Sequence, residues 1–134
     1  MRNLAAFTAI VAFCNLGVTL WHLRLASELN PDLSFARAAR IGALTVVLTL
    51  GGVALLWARR RLVGSFVLVV VFAIGLVIGS LEHFFIPGPN NVFDAGVGGV
   101  AFLFRINVAL LVVLEIAGLW GAASLIRSAW RSAA

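Results

Sequence analysis

Few side chains in this chain can do chemistry. Among its 134 residues there are two histidines, five acidic residues and one cysteine. His83 directly follows Glu82, and Asp94 lies on the stretch that comes next. His22 stands far off in sequence, near the end of the first apolar run. Two imidazoles and one or two carboxylates make a donor set that zinc, copper or iron accepts. Two histidines on facing helices can instead hold a haem. His22, His83, Glu82 and Asp94 are therefore the candidate metal ligands. The spacing alone does not single them out, since no HxxH or HExxH stands in the sequence. Glu82 and His83, as neighbours on one helix, would also point about 100° apart. The competing expectation is a hydrogen-bonded cluster in which Arg24 or Arg105 neutralises Glu82 or Asp94.

Glu115 is the second anomaly, set in the middle of a long apolar run. An acid at the centre of a membrane helix costs about 2.5–3.5 kcal/mol on insertion scales. Arg105 precedes it by roughly 15 Å of helix, at about 1.5 Å per residue, too far for a direct pair. Glu115 must then protonate, hold a ligand, or bond to Asn15, to a threonine hydroxyl or to a partner subunit. Glu115, Arg105 and Asn15 are the intramembrane polar candidates. Cys14 is alone, so the chain has no internal disulfide and no Cys-x-x-Cys pair for redox or zinc chemistry.

The elements that position these residues follow from composition. The chain is 63% hydrophobic and 11% charged, with a mean hydropathy of +1.11. Soluble domains carry roughly 45–50% apolar and about 25% charged residues. A water-soluble fold of this size could not hide so much apolar surface. Four apolar runs, at about 4–25, 41–58, 62–85 and 97–126, predict a single all-α domain, a four-transmembrane-helix bundle. A barrel is excluded, because its strands would alternate polar and apolar residues. Arg2 followed by an apolar run resembles a secretory signal, but Leu4 to Leu20 exceeds the usual apolar core of one, and retention as the first span is expected.

The connections fit four spans. Glu28-Leu29-Asn30-Pro31-Asp32 should break the first helix, with Ser34 capping a short helix that carries Arg37 and Arg40 into the second. Arg59-Arg60-Arg61 predicts a tight turn, and Ile86-Pro87-Gly88-Pro89-Asn90-Asn91 stops the third helix. Each span bears a stripe of small or polar residues: Thr8, Asn15 and His22; Gly42, Thr45, Thr49 and Gly52; Gly75 and Gly79; Asn107, Glu115, Gly118 and Ala122. Such stripes are the seams by which membrane helices pack. Trp21, Trp57, Trp120 and Trp130 fall near span ends, as an aromatic belt does.

All ten basic residues are arginines. They cluster between apolar runs, not along a stripe with aromatics, so nucleic acid is not an expected partner despite a pI near 11.6. Arg2, the Arg59–Arg61 turn, Arg127 and Arg131 share one side, against Arg24, Arg37 and Arg40 on the other, so both termini are expected in the cytoplasm, in a prokaryotic-type inner or plasma membrane. With no complete catalytic constellation, the expected role is a non-catalytic accessory subunit of a larger membrane complex, such as an oxidoreductase or energy-converting assembly. The alternative is a small oligomeric transporter or a metal- or cofactor-binding membrane protein using Glu115 or His22 and His83. Bound lipids, other membrane subunits or further copies of the chain are the expected partners.

Overall fold

The computed structural model describes residues 2–30, 35–58 and 60–132, with 35–38 as backbone only. Four helices are long and apolar enough to cross a membrane. They are α1 (Arg2–Leu29), α2 (Phe35–Trp57), α3 (Arg61–Ser80) and α4 (Gly99–Arg131), and a π-helical turn, Leu81–Phe85, extends α3. No strand occurs among the described residues. The expected Pro31-Asp32 break, the Ser34 cap, Arg59 and the Arg37 side chain lie outside what is described.

The helix limits differ from the apolar runs for local reasons. α1 runs on to Leu29 because Arg24 and Glu28 pair one turn apart at 3.2 Å and Ser27 Oγ donates to Arg24 O at 2.7 Å. α4 begins two residues later than its apolar run, since Gly98 has φ +125°, a conformation that no helix contains. It continues past Ile126 to Arg131 because nothing in Arg127-Ser128-Ala129-Trp130 interrupts it. The short helix expected before the second span is continuous with α2.

The helices form a square in which α1 touches α2 and α4, and α3 touches α2 and α4. Close contact is made possible by glycine. A methyl group at Gly64 would lie 2.7 Å from Gly52 O and 2.8 Å from the Leu56 nitrogen, so α2 and α3 meet backbone to backbone. A methyl at Gly118 would collide with the Phe72 ring, and one at Gly121 would sit 2.7 Å from Thr8 Oγ1. Small residues at such crossings let van der Waals contact do what hydrophobic exclusion does in water.

Two separate apolar clusters fill the interior. The larger joins Ala9, Ala12, Val53, Leu68, Phe72 and Ala122 near the chain termini. The smaller joins Leu25, Ala26, Val92, Phe104 and Val108 at the opposite end, where the α3–α4 loop lies. Between them the stripes contribute polar groups. The threonines of those stripes mostly satisfy themselves, since Thr8, Thr19 and Thr45 donate to the carbonyls of Leu4, Asn15 and Ile41 on their own helices.

Gly64→Ala is expected to destabilise the bundle by about 1–3 kcal/mol, the usual cost of overpacking. Gly17→Ala, with open space around it, should be neutral or stabilising by up to about 1 kcal/mol. Unfolding of the two variants in detergent compares them, and equal midpoints would contradict the close α2–α3 approach.

Candidate functional site

The seven-residue spacing of Thr8, Asn15 and His22 keeps all three on one face of α1, turned towards α4. At the loop end of that face His22 meets Asn107. His22 Nδ1 lies 2.9 Å from Asn107 Oδ1, while Asn107 Nδ2 donates to Val18 O at 3.1 Å. One buried amide on α4 therefore grips both a side chain and the backbone of α1. Because its nitrogen faces a carbonyl, its oxygen faces the imidazole. An amide oxygen only accepts, so His22 carries its hydrogen on Nδ1.

His83 arrives from α3 by way of the π turn. In that turn Ile86 N donates to Leu81 O at 2.9 Å, one residue beyond the α-helical ladder. Turns of this kind are a common way for a helix to end. Here the turn carries His83 into the interior, where it is buried, with its ring centroid 4.7 Å from that of His22. Phe104, fully buried, packs against both rings at 5.2 Å and 5.8 Å. His83 Nδ1 lies 2.8 Å from Asn90 O. A carbonyl also only accepts, so this ring too is protonated on Nδ1.

The 86–98 loop is tied down at several points. Val92 N donates to His83 O at 2.9 Å. Asn91 bonds to Ile86 O and to Phe93 N, closing a tight local turn. Asp94 Oδ2 accepts from Gly88 N at 3.0 Å, and Gly88, at φ +143°, adopts a backbone conformation that a residue with a Cβ rarely takes. Arg105 reaches up from α4 to donate from Nε to Val92 O at 2.9 Å and from Nη2 to Gly96 O at 2.8 Å.

These contacts sort the expected site residues. His22 and His83, from two helices, do come together. Among the described residues, however, no three or more His, Cys, Asp or Glu side chains are grouped so as to hold a metal ion. Asp94 is exposed and engaged with the loop backbone, and Glu82 is half-buried on the π turn beside His83. Arg105 holds loop carbonyls instead of neutralising Asp94, and Arg24 pairs with Glu28. Haem does not fit this pair, because trans axial imidazoles need the macrocycle between them and rings 4.7 Å apart leave no room for it.

Asn15 and Glu115 lie further towards mid-bundle. Thr8 opposite Gly121 and His22 opposite Asn107 put Asn15 level with Leu114 and Glu115. Glu115 occupies a slot that Gly75 opens on α3, where any methyl group would strike its Oε1. The expected bond from Glu115 to Asn15 or to a threonine does not form. Among the described residues Glu115 has no hydrogen bond or ion pair, and Asn15 Oδ1 and Thr49 Oγ1 are buried without a partner. The structure also supplies three participants that residue types did not announce: Phe104, the Asn90 carbonyl and the π turn.

The chain matches no family model, no curated protein and no solved structure. Its chemistry is therefore argued from its own geometry. At a pH where the imidazoles are neutral, His22 and His83 should both show the Nδ1–H tautomer in ¹⁵N NMR, and Asn107→Leu should release His22 from it while leaving His83 unchanged. That substitution is expected to cost about 0.6–1.7 kcal/mol, the range for hydrogen bonds between membrane helices. An Nε2–H tautomer at either ring in the wild type would contradict the assignment.

Proposed function

We propose that the chain is an integral subunit of a larger assembly in a prokaryotic-type inner membrane, with both termini in the cytoplasm and no catalysis of its own. The observation that carries this reading is the apolar platform at the loop end of the bundle. Phe85 and Phe93 are 74% and 76% exposed, Val97 is wholly exposed, and Ile86 adds to them. Apolar side chains left this exposed by one short connection point to a contact with protein or membrane. The platform is also pre-shaped, because the bonds from Arg105, Asn91 and Asp94 fix the loop beneath it, which lowers the ordering cost of docking.

The opposite end supports the orientation. Arg2, Arg60, Arg61, Arg127 and Arg131 gather there, as cytoplasmic ends do. An open cleft lined by Trp120, Ser124, Arg127, Ser128 and Arg131 offers donors and positive charge to an anionic lipid headgroup.

Mild-detergent purification at native expression levels tests the assignment. Larger polypeptides are expected to co-purify with the wild type, and Phe93→Ser should lose them without altering helix content. Recovery of the chain as a clean homo-oligomer would contradict it.

Glu115 favours a second reading, a small transporter, because ionisable residues within membrane helices mark ion pathways and proton relays. Proteoliposomes holding a pH gradient separate the two. On the subunit reading, wild type, Glu115→Gln and empty vesicles should all dissipate it equally. Faster loss with the wild type, abolished by Glu115→Gln, would favour transport.

A further inference from the structure

We propose that His22 and His83 form a binding site for a single transition-metal ion of the zinc–copper class, ligated through the two Nε2 atoms and completed by water or an external donor. The inference does not depend on the subunit reading. Its first support is the state of the rings. Both Nδ1 atoms donate to oxygens that can only accept, Asn107 Oδ1 at 2.9 Å and Asn90 O at 2.8 Å. In its neutral form each ring therefore keeps its lone pair on Nε2, one of the two nitrogens through which imidazole binds metals.

The second support is that the surroundings of such a site are already present. Metal-binding histidines almost always donate their other N–H to a carbonyl or carboxylate, which orients the ring and raises its basicity. Here both histidines do so, one to a buried side-chain amide that is itself anchored on Val18 O, the other to a loop carbonyl. Phe104 supports both rings from α4.

The third support is the ring separation. With metal–nitrogen distances of about 2.0–2.1 Å, two imidazoles on one tetrahedral ion hold their centroids roughly 5 Å apart. The observed 4.7 Å agrees. With no third protein donor grouped with them among the described residues, the ion would keep open positions. Structural sites are closed by four protein ligands, so an ion held by two histidines is expected to exchange.

The test uses the full chain, without a polyhistidine tag, in detergent or nanodiscs, with Zn²⁺ alone and Cu²⁺ alone as probes. One ion per chain is expected by titration calorimetry, and the Cu²⁺ EPR spectrum should show coupling to two imidazole nitrogens. His22→Gln and His83→Gln should each weaken binding at least tenfold and reduce the coupling to one nitrogen. Asn107→Leu keeps both rings but frees His22, and should weaken binding about 10–100-fold, as loss of an outer-shell partner does. Wild-type protein that binds neither ion, or affinity unchanged in both histidine variants with helix content preserved, would overturn the proposal. If either variant fails to fold, the wild-type spectrum decides: coupling to one nitrogen or none also overturns it.

Discussion

The Asn107 amide holds the site together. Its oxygen meets the His22 ring and its nitrogen meets Val18 O, so a single buried group from α4 fixes both the height and the rotation of α1. An amide that spans two partners tolerates little sliding, because losing either bond leaves a buried polar group unsatisfied. In the bilayer we propose as its solvent, that cost rises, since water does not compete for either partner. The position of His22 follows from this grip, and the approach of His83 matters only because His22 is already in place.

A second set of bonds does the same for the loop. Arg105 donates to Val92 O and Gly96 O, and Val92 N returns to His83 O. The guanidinium has a fixed geometry, so α4 sets the loop and the loop sets the Asn90 carbonyl that orients His83. One helix therefore governs both imidazoles, His22 directly through Asn107 and His83 indirectly through Arg105. The two residues are two positions apart on α4, so one points into the bundle and the other towards the loop.

Much of the fold was legible because composition left the chain few options. Four apolar runs broken by Arg clusters or by Pro and Gly correspond to the four helices, and the stripes of Asn15, Thr49 and Asn107 do face inward. That His22 and His83 share a depth follows from the span count, but their approach to 4.7 Å does not. Other features depended on information that residue types do not carry. Asn107 lay on its stripe, but its pairing with His22 depends on the relative height of two helices. Phe104 is one of several apolar residues on α4, and only tertiary contact separates it from those facing outward. Glu115 fits because Gly75 faces it, whereas Gly75 and Gly79 had read as a helix–helix seam. The π turn left no mark in sequence, since Leu-Glu-His-Phe-Phe would continue an ordinary helix equally well.

That turn has a consequence for how such a site can arise. A π turn closes its hydrogen bond one residue later than an α-helical turn, so its residues advance by smaller angular steps. α3 is regular up to Ser80, and the wider winding is confined to Leu81–Phe85, the turn that holds His83. With ordinary α-helical winding the His83 imidazole would leave the axis at a different angle from the one that buries it here. The histidine pair thus hangs on the local winding of five residues, whereas the bundle itself rests on the long helices to either side of them.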